Sequence, residues 1–209
     1  MNHGAGQVSM PRFLHVGSGR YRKHQTIRAF QGPEWEEISL DIDKSVKPDI
    51  VDKLPELAKV ESDSFDAVYS SHSIEHLYPH EVPVALSAFH RVLKSNGVAI
   101  IRCPDLQTIG QALARGEIDT PLYVSGMGPV SALDMLYGFR PSMANGNLYM
   151  AHHTGFTAKT LGDACAASKF RSVYCLRMKE TRELWCIATK AALAQEKLEQ
   201  LAKFCIRPV

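Results

Sequence analysis

Short apolar runs alternate with longer, helix-like segments along most of the chain. Seven runs have the length and residue types of β-strands, at 13–16, 37–41, 49–51, 66–70, 98–103, 172–177 and 184–189. This alternation is typical of parallel strands joined by crossover helices. The sequence therefore predicts an α/β fold.

Three helices are predicted by their apolar spacing. Val82, Leu86, Phe89 and Leu93 lie three or four residues apart, which predicts a helix over 81–93 that stops at Asn96-Gly97. A second helix is predicted to start at a Thr157 cap and end near position 169. The tail over 190–205 has one apolar stripe and is predicted to be an amphipathic helix packed on its own domain. The polar turn over 178–183 predicts that the last two strands form an antiparallel hairpin.

Composition fits one ordinary domain spanning 1–209. The chain has 209 residues, of which 45% are hydrophobic and 22% charged, and this is enough for a full core. The net charge of +2 gives no basic field, so we do not expect nucleic acid as an obligatory partner. Oligomeric state is not indicated.

The five cysteines are far apart and include no C-x-x-C pair, which argues against a disulfide framework and a zinc knuckle. We expect them to be reduced and mostly buried. The stretch 1–12 is polar, and no run approaches the roughly 20 apolar residues that span a bilayer. These features favour a cytoplasmic location without membrane insertion.

A glycine pair follows the first strand directly, as Gly17-Ser18-Gly19. Glycine at this point lets the chain turn sharply from strand to helix and lets a ligand approach the backbone. Asp41 ends the next strand, 22 residues after Gly19, and this spacing suits an acidic side chain that binds ribose hydroxyls. The alternative for Asp41 is a turn at the strand end. Arg22 occupies the position of the third glycine of a dinucleotide fingerprint, which weakens the NAD hypothesis.

Further motifs follow in a fixed order. They are Asp52 to Leu54-Pro55, Ser64-Phe65-Asp66-Ala67-Val68-Tyr69, Glu75-His76-Leu77, His90 to Gly97, and Pro104-Asp105. Over 13–105 this series resembles the S-adenosylmethionine-dependent methyltransferases of the methyltransferase type 11 family. The resemblance implies a Rossmann-like sheet of seven strands in the order 3-2-1-4-5-7-6, with only the last strand antiparallel. Helices would cover both faces, and an insert would follow strand 5.

The resemblance also implies a cofactor, S-adenosylmethionine, and roles for its binding residues. The loop of Gly17, Ser18 and Gly19 would pass under the methionine and ribose, and Asp41 would hold the ribose. Ile42 would pack on adenine, Asp52 would face its amino group, and Ser70 or Ser71 would lie near the transferred methyl. The residues expected to bind the cofactor are therefore Gly17, Ser18, Gly19, Asp41, Ile42, Asp52, Ser70 and Ser71.

Two positions depart from the family pattern. His15 stands where the family usually has an acidic residue, and Tyr21 stands where a further glycine is common. A buried histidine at the edge of the core is the favoured interpretation of His15. These departures keep open a non-catalytic protein that binds the cofactor on the same scaffold. An NAD(P)-dependent oxidoreductase is less favoured, because no hydride-transfer constellation is recognisable.

The run His72-Ser73-Ile74-Glu75-His76 fits H-x-x-E-H, a zinc protease pattern. Three specified positions inside a long methyltransferase match do not support a protease. Certain ubiquinone-biosynthesis O-methyltransferases hold a divalent metal with a similarly placed cluster, but His72 stands where the first acidic ligand would be. We therefore predict no metal, with Glu75 and His76 as pocket-wall residues.

The segment 105–156 is much longer than a simple connection and is rich in Gly, Pro, Tyr and Met. We expect it to recognise the methyl acceptor, a small molecule or a sugar or lipid precursor. A decorated surface loop without function is the alternative. Within it, 126–129 predicts a turn leading into a short helix that Gly138 ends. His152 or His153 is the first candidate for a catalytic base, and His72 the second.

Overall fold

The computed structural model of the protein describes residues 10–206. Its strands are β1 Arg12–Val16, β2 Glu36–Asp41, β3 Ile50–Val51, β4 Phe65–Ser71, β5 Leu93–Pro104, β6 Pro121–Ser125, β7 Gly128–Ser131, β8 Ser172–Met178 and β9 Glu183–Thr189. Its α-helices are α1 Val82–Val92, α2 Leu106–Ala114, α3 Ala132–Tyr137, α4 Arg140–Ala144, α5 Ala158–Ala167 and α6 Gln195–Ile206. None of the helices in this described part is both long and apolar enough to cross a bilayer. The expectation drawn from the polar start of the chain rests mainly on residues 1–9, which lie outside the described residues.

The seven-stranded sheet has the order β3-β2-β1-β4-β5-β9-β8, while β6 and β7 form a separate hairpin. Without that hairpin the order is the predicted 3-2-1-4-5-7-6. Strands β1 to β5 pair in parallel, and β9 is antiparallel to both β5 and β8, so β9 alone runs against the other strands of this seven-stranded sheet. In this register Val16 pairs with Leu40 and with Ser70. The residues that follow these three therefore meet at one edge of the sheet.

Each face of the sheet has its own apolar core. Successive side chains of a strand point to opposite faces, so Leu14 and Phe13 enter different clusters. Leu14 packs with α1 and α5, and Phe13 packs with α6 and with the short turn over residues 28–30. Phe13 and Phe30 stack with ring centroids 4.4 Å apart. The predicted tail helix is confirmed, since Leu198 of α6 is buried in this second cluster.

The first crossovers differ from the expectation. Residues 17–64, all of them described, contain 3-10 turns and no α-helix, so the sharp turn from strand to helix after Gly19 is wrong. Arg20, Arg22 and Lys23 follow the glycines, and positive charge is unfavourable at a helix N-terminus. The Arg22 guanidinium instead donates to the carbonyls of Gly19, at 3.0 Å, and of Val46, at 2.7 Å. This side chain therefore stabilises a compact loop.

The helix predicted over 81–93 spans Val82–Val92, whereas the strand predicted over 98–103 begins five residues earlier than expected. Helix α1 ends at Val92, and β5 begins with Leu93, which pairs with Phe65 of β4. The sheet therefore includes Leu93, the last residue of the predicted helix, and the segment 94–97, which was predicted to be a connection. The predicted Thr157 cap is confirmed, because its hydroxyl accepts from the Thr160 amide. The cysteines agree with expectation, since all five are free and all except Cys175 are buried.

Candidate active site

The glycine loop and the end of β2 are joined by Asp41. One Asp41 carboxylate oxygen accepts from the Gly19 amide at 2.8 Å, across 22 residues of sequence. The other oxygen accepts from the Asp43 amide at 2.9 Å. The predicted proximity of Asp41 to the loop is present, and so is the strand-end turn that was its alternative. Each carboxylate oxygen can accept a second hydrogen bond, so ribose hydroxyls can bind without breaking either contact.

The two glycines of the loop have different surroundings. Gly17 has φ +63°, and a Cβ placed there would clash with Ser73, whose own Cβ lies 2.8 Å away. Ser73 is buried and donates from its hydroxyl to the Val16 carbonyl. Gly19 has φ +52°, and the space where its Cβ would lie is open. Gly17 therefore packs against the protein, whereas Gly19 leaves room for a ligand.

Apolar side chains are exposed beside Asp41. Ile42 is 44% exposed and Val51, at the end of β3, is 40% exposed. The Asp52 amide donates to the Asp41 carbonyl at 3.2 Å, which brings the two acidic residues together. The Asp52 carboxylate accepts from the Lys59 amide. An uncovered apolar surface next to two carboxylates suits a nucleoside, with a flat base and a polar sugar.

The serines assigned to this site differ in access. Ser18 is buried and its amide donates to the Leu40 carbonyl at 3.2 Å. Ser70 is fully buried, and its hydroxyl has no hydrogen-bond partner among the described residues. Ser71, next along β4, is partly exposed at the same edge. Of the two β4 serines, only Ser71 is accessible to a bound ligand.

The two residues that depart from the family pattern, His15 and Tyr21, do not obstruct the site. His15 is buried and its Nδ1 lies 2.6 Å from a Glu37 carboxylate oxygen on the neighbouring strand. This is the satisfied core-edge histidine that the sequence favoured. Tyr21 is 59% exposed. Neither residue fills the space beside Gly19, since the position of a Gly19 Cβ is free of contacts.

Comparison with known proteins supports the same assignment. Residues 14–101 match a family model described as a methyltransferase domain, methyltransferase type 11. Among curated proteins, none matches the chain. The residues matched by the family model include the glycine loop, Asp41 and both β4 serines. Residues 14–101 therefore resemble the methyltransferase type 11 family, and this match indicates an S-adenosylmethionine-dependent methyltransferase.

Solved structures show the same fold at low identity. A Burkholderia thailandensis 1,6-didemethyltoxoflavin-N1-methyltransferase, solved with 1,6-didemethyltoxoflavin and S-adenosylhomocysteine, is similar at 17% identity and TM-score 0.54, over 87% of this chain and 72% of that one. A methyltransferase from Archaeoglobus fulgidus is similar at 18% identity and TM-score 0.52, over 87% and 86%. One from Methanosarcina mazei reaches TM-score 0.55 at 16% identity, over 89% and 95%.

The cofactor that this match indicates is S-adenosylmethionine, and the geometry at the carboxyl ends of the strands fits it. The open space at Gly19, the spare acceptor capacity of Asp41 and the exposed Ile42 are the features that a ribose and an adenine require. The missing first helix does not conflict with this, because the cofactor carries no phosphate for a helix N-terminus to bind.

A second feature of the methyltransferase is a half-open cavity of about 260 Å³ at the carboxyl ends of β4 and β5. The insert forms most of its wall. The lining residues are Glu75, Pro104, Leu106, Ile109, Met135, Leu136, Tyr137, His152, His153, Thr154 and Gly155. The insert contains the predicted short helix, α3, which ends at Gly138 with φ +101°. The preceding turn at Gly126-Met127 is the tip of the β6–β7 hairpin, which the sequence did not indicate.

The strap over 151–155 is held across the cavity by backbone hydrogen bonds. The amides of His153 and Thr154 donate to the Glu75 carbonyl at 2.9 and 3.2 Å, and the His152 amide donates to the Tyr137 carbonyl at 3.0 Å. A Cβ at Gly138 would clash with the carbonyl of Met150, the residue just before the strap. Only glycine therefore fits where the two segments cross. The structure thus brings His152 and His153 to the cavity that contains Glu75.

Two histidines in this region have a defined tautomer. His152 Nδ1 lies 2.8 Å from the Met135 carbonyl, and His76 Nδ1 lies 2.9 Å from the Ala151 carbonyl. Because a carbonyl only accepts, each Nδ1 carries a hydrogen, so the neutral form of each ring has its lone pair on Nε2. Burial lowers the pKa of His152, although Glu75 opposes this, so the ring is neutral at pH 7.

His72 has a different role from the other two candidates. Its Nε2 lies 2.8 Å from Glu183 and its Nδ1 lies 3.3 Å from Glu75. Burial opposes its charge, yet these two carboxylates raise the pKa of His72 to about 9. Arg102 also binds Glu183, at 2.8 Å. His72 is therefore an imidazolium within an ion-pair network at neutral pH.

Glu75 is the residue whose importance sequence reasoning underestimated. It is 1% exposed, and its carboxylate points toward the group formed by His72, His76 and His152. The H-x-x-E-H pattern marked Glu75 and His76, but it gave no sign of His152, which lies 76 residues further along the chain. Only the folded insert joins the two parts.

Proposed function

We propose that this methyltransferase acts on a small-molecule acceptor with a nucleophilic hydroxyl or amine, bound in the cavity between Glu75 and the insert. The observation that carries the proposal is the composition of the cavity wall. Apolar groups such as Ile109 and Met135 line it together with a few polar side chains, as in sites for small ligands. Its volume of about 260 Å³ suits part of a metabolite better than a folded protein surface.

The residues of the chain have few chemical tasks in this reaction. S-adenosylmethionine supplies a methyl group already activated on a sulfonium sulfur, so orientation of the acceptor contributes much of the rate. The insert 105–156 forms most of the cavity wall, so a bound acceptor would close much of the remaining opening to water. Tyr137 is 59% exposed at the cavity, where its hydroxyl can orient the acceptor.

A base is needed to take the proton of a hydroxyl or of a protonated amine. His152 and His153 both line the cavity, and His153 stacks on Tyr78 with ring centroids 4.2 Å apart. His72 is protonated near neutral pH, so it can donate a hydrogen bond but does not accept the proton there. We therefore place the base among His152 and His153, where it contributes roughly 10²- to 10⁴-fold to the rate.

The first experiment compares ligands by calorimetric titration. We expect binding of S-adenosylmethionine and S-adenosylhomocysteine, and no binding of NAD or NADP. A methyl-transfer screen with radiolabelled S-adenosylmethionine over hydroxylated and aminated metabolites, sugars and lipid precursors then identifies the acceptor. Binding of the cofactor without transfer to any acceptor class would favour the non-catalytic alternative.

Variants of the cavity test the acceptor site. On the identified acceptor, Tyr137→Ala should raise the KM and His153→Ala should lower kcat, both with unchanged affinity for S-adenosylmethionine, because these residues would contact only the second substrate. His80→Ala is the matched control, since His80 is exposed and is not among the lining residues. Full activity of both cavity variants would show that the acceptor binds elsewhere.

A further inference from the structure

We propose that Glu75, His76 and His152 form a binding site for one divalent transition-metal ion at the inner end of the acceptor cavity. One ligand atom from each of the three residues lies within 4.8 Å of the other two. Glu75 and His152 both line the cavity, and the rings of His76 and His152 have centroids 4.9 Å apart. The set does not include His72, so it differs from the ligand set that the H-x-x-E-H run suggested.

The first argument is the state of the Glu75 carboxylate. It is 1% exposed, and neither of its oxygens has a hydrogen-bond partner among the described residues. A buried carboxylate without hydrogen bonds is costly unless a cation compensates it. The imidazolium of His72 is an ionic partner of one oxygen, at 3.3 Å, but it is shared with Glu183, at 2.8 Å. The second Glu75 oxygen has no ionic partner at all among the described residues.

The second argument is the orientation of the two histidines. Metal-binding histidines almost always donate their other ring N–H to a carbonyl or a carboxylate. His76 and His152 both do this, toward the carbonyls of Ala151 and Met135. The lone pair of each ring is thereby left on Nε2, ready for a ligand. Both carbonyls belong to the insert, which therefore fixes the two rings.

The donor set indicates the class of metal. Two imidazoles and one carboxylate suit Zn²⁺, Fe²⁺, Mn²⁺ or Co²⁺, whereas Mg²⁺ and Ca²⁺ prefer oxygen ligands. Three protein ligands leave open positions toward the cavity, as in catalytic sites. The ion could there bind an acceptor oxygen and lower the pKa of its hydroxyl. This consequence rests on the proposed function, and it would leave His153 as the base because His152 is a ligand.

Metal binding is tested on the full chain after treatment with a chelator and its removal. Titration with Zn²⁺ should show one equivalent bound, and Co²⁺ should give visible absorption bands typical of bound cobalt. Glu75→Gln and His152→Ala should each weaken binding by roughly 100-fold or more, because even the outer partners of a metal site are worth 10- to 100-fold. His80→Ala should bind as the parent does, and Mg²⁺ should not compete.

The inference is overturned if the parent chain binds less than one equivalent, or if both variants keep its affinity. Circular dichroism and the unfolding temperature show whether a variant is folded, and His152→Gln replaces any variant that is not. Methyl transfer in the presence of chelator separates the two proposals. Methyl transfer by a chain that binds no metal would contradict the metal site and support the proposed function. One bound equivalent of metal without transfer to any acceptor would support the metal site and contradict the proposed function.

Discussion

Two regions at the carboxyl ends of the strands are built in different ways. The cofactor side surrounds Gly19 and Asp41, and the acceptor side surrounds Glu75 and the insert. At the cofactor side, Asp41 binds the amide of Gly19, 22 residues away, and that of its near neighbour Asp43. At the acceptor side, His72 binds Glu183 across 111 residues and His76 binds Ala151 across 75. One strand-turn-strand unit is thus enough to form the first side. The second exists only when the insert and the final hairpin are in place.

The two sides also differ in how they treat charge. Asp41 is partly exposed and is satisfied by backbone amides, whereas Glu75 and Glu183 are buried beside histidine and arginine. Burial opposes the charge of Glu183, but His72 and Arg102 lower the pKa of Glu183 to about 2. Perturbed groups of this kind cluster at functional sites more than elsewhere. The contrast suits a side that binds a neutral sugar and a side that handles a proton or a cation.

The largest effect is expected from Gly17→Val on the cofactor side. A valine there must adopt φ +63° and push into buried Ser73. The left-handed conformation costs about 1–2 kcal/mol and the overpacking about 1–3 kcal/mol. We therefore expect a loss of roughly 2–5 kcal/mol of stability, measured by denaturant unfolding, together with loss of cofactor binding.

Gly19→Ala is the matched control for that variant. It has a similar φ of +52° but open space around the new Cβ, so only the conformational cost of about 1–2 kcal/mol applies. If cofactor passes over this glycine, calorimetry should still show weaker binding of S-adenosylmethionine. Equal stability of the two variants would contradict the difference that we assign to the two glycines.

A smaller effect is expected from Asp41→Ala. The variant should bind S-adenosylmethionine more weakly by about 1–3 kcal/mol, since the buried ribose hydroxyls lose a charged partner. The KM for the acceptor should not change, because the two sides share no contact through Asp41. Asp43→Ala is the control, since among the described residues the Asp43 carboxylate accepts hydrogen bonds only from the local Ser45. Cofactor affinity that stays at the parental value would make Asp41 a turn residue alone.

The same contrast explains what the sequence could predict. The cap at Thr157 and the pairing of Asp41 with the glycine loop depend on short motifs, whereas the order of the strands was implied by the family resemblance, and all three are present. The early start of β5 was missed because Leu93 also fits the apolar spacing of α1, and its pairing with Phe65 is not visible in the sequence. The absence of a first α-helix depends on the basic loop around Arg22, whose carbonyl partners lie up to 25 residues away.

For the acceptor side, the sequence predicted which segment of the chain forms it but not the contacts within it. Composition marked 105–156 as too long for a connection, but it could not show that Met135 fixes the ring of His152 or that the strap binds Glu75. Those contacts depend on the path of the insert, and residue spacing does not record that path. Candidate bases could be named from their type, whereas the tautomers of His76 and His152 required the folded structure.

The smallest effect is expected from Asp134→Asn, which tests whether the acceptor side can be loosened alone. Asp134 is 6% exposed and completes the capping box of α3, accepting from the amide of the Ser131 cap and from the Arg140 guanidinium at 2.8 Å. Helix α3 also carries Met135 and Tyr137. At pH 7 we expect a loss of about 1–2 kcal/mol, because a helix cap and one half-exposed ion pair are weakened. The acceptor KM should rise, while S-adenosylmethionine affinity should not change.

The pH dependence of the same variant shows whether the ionised Asp134 carboxylate stabilises the protein. Burial opposes the charge of Asp134, but Arg140 and Ser131 lower its pKa from 3.8 to about 2. A depressed pKa means that the stability from this carboxylate is present above about pH 4 and is lost as the pH falls toward 2. The parent and Asp134→Asn should therefore differ in unfolding free energy at pH 6 and converge near pH 2. Asp119→Asn, which removes the other, exposed partner of Arg140, should follow the parent throughout. A constant difference between the parent and Asp134→Asn down to pH 2 would mean that packing at this position, and not the ionised carboxylate, holds α3 over the cavity.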